Sequence, residues 1–513
     1  MFPKISDIDA LQRTLGNDLL MFLPELAVCT GIVLLLLARL FAELDRVHLG
    51  TVAVAVLAGA LFPAVSQVQS GQWADVYFGA MLTSDAWGGF VRVVVLAAAL
   101  LTVLLSLLTG IPDKADSADF YALLLGGTLG MMLMGSASHL LMVFISVEMA
   151  SLPGYALAGF LKGKRQGSEA ALKYVVYGAA ASGVMLYGIT LLAGTFGSGA
   201  LRNVSAGIAA RGLDLPVLAG VVLTLVGLGF KLAAVPFQFW CPDVFEGAAA
   251  EVAGFLSVAS KAGAIGLTGR LLLTLHASDE GGWAIPAHVG VGVAVIAMLT
   301  VTFGNLAAFG QNNLKRLLAY STIAHAGYML MGLAVITKAG GAAVLYYLAA
   351  YVAMNLGAFG VVALVRNATG SEDISAFRGL VRRNPLLALA MTLFLASLLG
   401  LPPLAGFAGK FQVFAAVYLA AKSAAASAPA GVGVAFYVLL GVGAVNTAVS
   451  AYYYLRIARA MLLEEPDTDT FVPLSVPAAA FLVVLVAFLF AAGVLWDPLM
   501  DETTRAANAF TVK

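Results

Sequence analysis

The sequence predicts an all-α, polytopic membrane protein of about fourteen transmembrane helices, with inverted halves that each contain a broken helix. Three observations carry this. Of 513 residues, 61% are hydrophobic and only 11% charged, against about 25% charged in soluble domains, and the mean hydropathy is +0.95. Apolar runs long enough to cross about 30 Å of hydrocarbon follow one another with no polar domain between them. Two of these runs are interrupted by proline, and each carries a lysine near its interruption.

The runs lie at 19–42, 49–68, 86–109, 119–136, 139–161, 168–195, 214–238, 252–275, 286–308, 313–336, 342–366, 384–422, 430–462 and 473–496. The polar, mixed-charge start MFPKISDIDALQRTLGND lacks the basic-then-apolar layout of a cleaved signal, so the first run is expected to remain as a helix. It carries Leu23-Pro24-Glu25-Leu26 near its start, and the fifth carries Glu148. The seventh contains Lys231 and breaks at Pro236, before a short acidic turn, Cys241-Pro242-Asp243-Val244-Phe245-Glu246-Gly247. The eighth contains Lys261 and no acidic residue, and the tenth contains His325. The twelfth is too long for one straight crossing, since 384–422 at about 1.5 Å per residue exceeds 50 Å. Gly400-Leu401-Pro402-Pro403 removes helix hydrogen bonds in its middle, and Lys410 follows. Opened backbone of this kind is tolerated at membrane depth only inside protein or beside a wet cavity.

The broken runs are five helices apart, an odd number, so equivalent helices in the two halves cross in opposite directions. Broken helices in corresponding places of an inverted repeat mark the ion pathway. Short loops after odd-numbered runs hold Arg46, Lys114, Lys162, Lys164, Arg165, Lys315, Arg316, Arg378, Arg382, Arg383, Arg456 and Arg459; the others hold only Arg202, Arg211, Lys338 and Lys422. The positive-inside rule then places the first set in the cytoplasm and both termini outside.

A formal net charge of zero argues against a nucleic-acid binder or a polybasic peripheral protein. With only Cys29 and Cys241, no disulfide framework, iron–sulfur cluster or cysteine zinc site can be built. Gly290-x-Gly292 and Gly441-x-Gly443 lie inside apolar helices with no strand before them, and read as packing glycines. No nucleotide, flavin or metal site is expected in this chain.

An ionisable residue inside a bilayer costs about 2.5–3.5 kcal/mol on insertion scales and usually marks a function. Glu148 and Lys261 each stand about nine residues inside their runs, hence about 14 Å deep. An isolated carboxylate at such depth takes up a proton and an isolated ammonium gives one up, whereas facing each other they stay charged. Groups poised between these states suit a proton relay through Glu148, Lys231, Lys261 and Lys410; the alternative is a static ion pair that fixes packing. His325, with an ordinary pKa of about 6.5, would pass protons with Tyr320, Ser321 and Thr322 ordering water, or would simply bond between helices. Lys173 is a secondary relay candidate or a snorkelling lysine. Lys315 and Arg316 read as interfacial anchors, and Asp243 and Glu246 as a cap on the eighth run in preference to a cation site.

The segments LPEL at 23–26, Glu148 with SLPGYALAGF after it, SEAALKYVVYGAAASG at 168–183, GFKLAAVPFQFWCPDVFEGA at 229–248, NLKRLLAYSTIAHAGYM at 313–329 and LPPLAGFAGKF at 401–411 together resemble the antiporter-like membrane subunits of proton-pumping NADH–quinone oxidoreductase (respiratory complex I). The best match is to the subunit N group, counterparts of mitochondrial NADH dehydrogenase subunit 2. The resemblance implies a single membrane domain over 1–513 with two inverted five-helix repeats, about 119–275 and 286–462, flanked by helices over 19–109 and 473–496. It implies that Glu148 is the fifth-helix glutamate, Lys231 its partner at the first break, Lys261 the central lysine and Lys410 the lysine at the second break. Gln238 and Ala249 depart from the family's frequent histidine and proline, both in the connection after the first break.

The resemblance further implies a proton-translocating subunit in a bacterial cytoplasmic membrane, with no cofactor in this chain. NADH, FMN, iron–sulfur clusters and a quinone would be used elsewhere in the complex, and the partners would be subunits M, J and K and the lipid bilayer, without nucleic acid. The rival readings are a subunit of a multisubunit sodium/proton antiporter, a subunit of a membrane-bound hydrogenase, and a scaffold whose charges only fix packing.

Overall fold

The computed structural model describes residues 15–41, 48–71, 73, 76–161, 165–277, 284–466 and 471–510. Arg46, Lys162, Lys164 and Lys513 lie outside them.

Each apolar run becomes a helix. In chain order they are α1 (Leu23–Ala38), α2 (Gly50–Ser70), α3 (Ala86–Thr109), α4 (Ser117–Ser136), α5 (Leu140–Ala158), α6 (Arg165–Phe196), α7 (Leu201–Arg211), α8 (Leu215–Leu232), α9 (Trp240–Gly247) and α10 (Ala250–Ala277). There follow α11 (Ala284–Ala308), α12 (Leu314–Ala334), α13 (Lys338–Thr369), α14 (Leu380–Arg383), α15 (Pro385–Leu399), α16 (Ala405–Ser427), α17 (Val432–Leu462), α18 (Val476–Val494) and α19 (Asp497–Asn508). Among the described residues, twelve helices are long and apolar enough to cross a membrane, or thirteen if Leu15–Met21 and α1, bent by 77°, count as one span. The twelfth run appears as the shorter α15 followed by α16.

Side-chain oxygens fix several helix starts. Asp85 accepts from the Gly88 amide at 2.8 Å at the head of α3, and Asn313 from the Arg316 amide at 3.1 Å at the head of α12. Each satisfies one of the orphan donors of a first turn. The second break falls where the Pro402-Pro403 pair predicts it. There α15 stops at Gly400, whose φ of +91° places it where glycine is favoured.

The first break differs from expectation in two ways. Helix α8 ends at Leu232, not at 238, because the ring of Pro236 would meet the carbonyl four residues earlier, that of Leu232. The chain leaves the helix through Ala233 in the left-handed region, φ +54°, a strained position for a residue with a Cβ. The segment read as an acidic turn is itself a helix, α9, over 240–247.

Three further helices lie outside the predicted runs: α7, the four-residue α14 and α19. Helix α7 is short and polar, and α19 is amphipathic. The latter folds back on α13 and α3, so that Phe510 meets Trp87 edge to face at 6.2 Å.

The centre of the molecule is α10, whose entire apolar window is buried, with α12 and α13 nearly so. Helices α2 and α18 bury far less of theirs. A helix buried all round is apolar all round, so a charge within α10 has only other protein for company.

Candidate functional site

At the first break, the last carbonyls of α8 have no partners within their own helix. The Phe230 carbonyl accepts from the Trp240 indole at 3.0 Å, and the Lys231 carbonyl accepts from Lys261 Nζ at 3.1 Å. The Lys261 ammonium also stands 5.2 Å from the centre of a Trp240 ring. A cation on the negative end of a helix and over an aromatic face is stabilised twice.

The second break repeats this chemistry. Lys410 Nζ donates to the Leu398 and Leu399 carbonyls at the end of α15, both at 3.0 Å, and stands 4.5 Å from the Tyr328 ring centre. Both ammonium groups are buried. In its hydrogen bonding Lys410 therefore resembles Lys261, on the span after the first break, more than it resembles Lys231.

Lys231 has a different environment. Its side chain is fully buried and its ammonium has no protein hydrogen-bond partner. Glu148 is close enough to act on it electrostatically but not paired with it. The Glu148 carboxylate instead accepts from Ser182 of α6. Nor does Glu148 hold Lys261, whose hydrogen bond goes to a backbone carbonyl. The ion pairs expected of Glu148 are thus replaced by a hydrogen bond from Ser182, with Lys261 held by a carbonyl and Lys231 left without a protein hydrogen-bond partner.

His325 lies between helices, as one of its two readings required. Its Nδ1 is 2.6 Å from the Tyr347 hydroxyl and its Nε2 is 3.1 Å from that of Tyr454. Ser321 meets Tyr454 at 2.5 Å, so the expected water-ordering hydroxyl is engaged by a side chain. Tyr351 donates to Thr322 at 3.0 Å; Asn355 donates to Tyr351 at 3.0 Å and to Ser257 at 2.6 Å. Ser257 is one turn before Lys261 on α10. Ser257, Asn355, Tyr351 and Thr322 thus form one hydrogen-bonded group and Tyr347, His325, Tyr454 and Ser321 another, which meet where the His325 and Tyr351 ring centres stand 5.2 Å apart. The sequence did not single out Tyr328, Tyr347, Tyr351, Tyr454 or Asn355. A signal was present in the spacing of Tyr347, Tyr351 and Asn355, which share one face of a helix four residues apart.

Lys173, Asp243, Glu246 and Arg316 come together at one end of the fold. Lys173 pairs with Glu169 at 2.9 Å and Asp243 at 2.6 Å; Arg316 pairs with Asp243 at 2.6 Å and Glu246 at 2.7 Å. Asp243 and Glu246 thus tie α6, α9 and α12 together instead of capping the eighth run. Burial opposes charge on Asp243, but hydrogen bonds from Lys173 and Arg316 outweigh it and hold the carboxyl below the usual carboxylate range. Nor is Lys315 an interfacial anchor: it is buried, donating to the Ala248 carbonyl at 2.6 Å and pairing with Glu372 at 2.8 Å.

Three buried ion pairs escaped the sequence reading. Arg270 forms a two-pronged pair with Asp85 at 2.7 and 2.8 Å, Arg366 meets Glu251 at 3.1 Å, and Arg92 meets Glu25 at 2.8 Å. The first two hold opposite ends of α10. Glu251 belongs to the same helix as Lys261, contrary to the expected run, but its charge is matched by Arg366. Among the described residues, no group of three or more His, Cys, Asp or Glu could hold a metal ion.

The family described as NADH:quinone oxidoreductase/Mrp antiporter, TM, matches residues 137–436. NADH-quinone oxidoreductase subunit N of Anaeromyxobacter sp. is 40% identical over 96% of this chain and 97% of its own length. A chain of respiratory complex I from Thermus thermophilus superposes with a TM-score of 0.74 at 34% identity, covering 94% of this chain and all of that one. A chain of the Mrp complex from Dietzia sp. has a TM-score of 0.81 at 21% identity, covering 95% and 97%, a likeness of fold alone. With broken helices, buried lysines and nearly full-length identity in agreement, the chain belongs to the subunit N family of NADH-quinone oxidoreductase, the antiporter-like membrane subunits of complex I.

Proposed function

We propose that this chain carries protons across the membrane along Glu148, Lys231, Lys261, His325 and Lys410, driven by electron transfer elsewhere in the complex, with Lys173 at the margin of the route. The observation that carries this reading is the repeated docking of a buried lysine on an opened helix end, Lys261 on α8 and Lys410 on α15. An ammonium held by carbonyl dipoles, with no carboxylate bonded to it, can release its proton without stranding a paired anion. The polar groups Ser257, Asn355 and Thr322, and next to them His325 with Tyr347 and Tyr454, lie between the two lysines and support a route there. The scaffold reading accounts for Asp85–Arg270 and Glu251–Arg366, which are neutralised, but not for unmatched lysines.

On this reading the chain works beside subunits M, J and K in a bacterial cytoplasmic membrane, two inverted repeats surround the row, and the complex supplies NADH, FMN, iron–sulfur and quinone chemistry. The distribution of Lys and Arg among the loops supports both termini outside. Lys513→Cys should react with an impermeant thiol reagent in intact spheroplasts; reaction only after lysis refutes that orientation. The relay is tested with Lys410→Met in assembled complex reconstituted into vesicles. Proton uptake per NADH should fall while NADH oxidation in detergent persists. Unchanged pumping by fully assembled enzyme refutes it.

A further inference from the structure

The Asp243 cluster borders a cavity of about 260 Å³, lined by Gln166, Glu169, Lys173, Asp243, Glu246 and Arg316. Lys173 precedes Ser182, the Glu148 partner, by nine residues on α6, so about 14 Å of helix separates the cavity from the carboxylate. Two buried tyrosines occupy this interval. Tyr174, next to Lys173, stacks on Trp240 of α9 at 4.4 Å between ring centres and 8° between planes, and meets Tyr155 edge to face at 4.7 Å. Tyr155 lies two turns from Glu148 on the same face of α5, close enough to feel its charge. Ser151 is a polar neighbour one turn between them.

Both hydroxyls are buried; that of Tyr174 has no protein hydrogen-bond partner, and that of Tyr155 has at most Ser151, one turn away on its own helix. A buried unpaired hydroxyl destabilises the fold, and phenylalanine would fill the same space without that cost. The α6 chain also makes room for one of them: a Cβ at Gly178 would overlap the Tyr155 hydroxyl. Tyr174, Gly178 and Ser182 recur every four residues and form one face of α6. The seam between α5 and α6 is thus polar along its length, at a standing cost to stability.

We infer that Tyr174 and Tyr155 are proton-transfer groups of an uptake route that leads from the Asp243 cavity along the α5–α6 seam to Glu148. In each step a phenol oxygen accepts a proton from the group on its cavity side, which is reprotonated in turn from bulk water, while its own proton passes to the next acceptor and finally to the Glu148 carboxylate. Rotation of the hydroxyl then resets it, and no electron moves. The inference rests on the reading of Glu148 as a proton carrier and adds its path of supply.

The test compares the double variant Tyr155→Phe/Tyr174→Phe with Glu148→Gln, in assembled complex reconstituted into vesicles. Phenylalanine removes no hydrogen bond between helices, so the complex should assemble. If an assembly defect appears, the single variants Tyr155→Phe and Tyr174→Phe are read in its place. Pumping coupled to NADH oxidation should fall by at least about tenfold, in line with loss of a proton-transfer group. Its solvent deuterium isotope effect should rise, which a change in packing alone would not produce. If Glu148→Gln abolishes pumping while the phenylalanine variants pump like the parent, the route is wrong and the Glu148 reading stands. If Glu148→Gln itself pumps normally, the destination is wrong and the route falls with it.

Discussion

Lys261 donates its hydrogen bond to the backbone carbonyl of Lys231, 3.1 Å away, so one lysine closes the helix end on which the other sits. The two ammonium groups are not equivalent: one is held by a carbonyl and an aromatic face, the other has no protein partner at all. Any change at the break between α8 and α9 therefore changes the hold on Lys261. Its proton affinity is tied to backbone geometry, not to a fixed counter-ion.

Replacing Lys261 separates charge from proton exchange. Arginine keeps a cation that does not deprotonate in proteins, its pKa lying above about 12. Lys261→Arg and Lys261→Met should both assemble and both pump poorly in vesicles. Normal pumping by Lys261→Arg together with failure of Lys261→Met would show that only a permanent cation is needed.

Lys231→Ala removes an ammonium that makes no protein hydrogen bond. It therefore breaks no bonded ion pair, and the amount of assembled complex should stay near that of the parent. Proton uptake per NADH should nevertheless drop several-fold, because Glu148 loses its electrostatic partner. Equal losses of assembly and pumping would point to a packing role instead.

Asp243→Asn should loosen α9. Charge-assisted hydrogen bonds contribute about 1.5–3 kcal/mol, and partial exposure of the cluster lowers that to about 1–2. Hydrogen exchange of the α9 amides should report an opening free energy smaller by that amount. In the parent the depressed Asp243 carboxyl sets the sign of the pH dependence. Its contribution is complete above the ordinary aspartate value of about 3.9 and is lost as pH falls through the lower folded value. Protection of α9 should thus stay level from about pH 8 to 5; a decline within that window would remove Asp243 as the cause.

Asp85→Asn leaves Arg270 charged and buried without its carboxylate. Removing one partner of a buried pair costs about 3–5 kcal/mol, so the quantity of assembled complex should fall sharply. Asp85→Asn with Arg270→Met should recover much of it, since no unmatched charge remains. A double variant as poor as the single one would show that the guanidinium is needed for its bond to the Gly135 carbonyl as well.

Composition, run length and proline placement determine the all-helical architecture without any tertiary information, because a bilayer requires every backbone group to bond within its own helix. They also locate both broken helices and every charged residue in the proposed row. Pro236 and Pro402-Pro403 act on their own backbone, so their effect is local and readable. The partners of those charges are not local. Lys261 meets a carbonyl 30 residues away, His325 a tyrosine 129 away, and Arg270 an aspartate 185 away. Such pairs depend on which helix faces turn toward each other. A helix that is apolar all round, as α10 is, carries no stripe from which that facing can be read. Packing alone decides that Glu148 bonds Ser182, that Lys410 and Lys261 each dock on the open end of a broken helix, and that Asp243 ties three helices together instead of capping one.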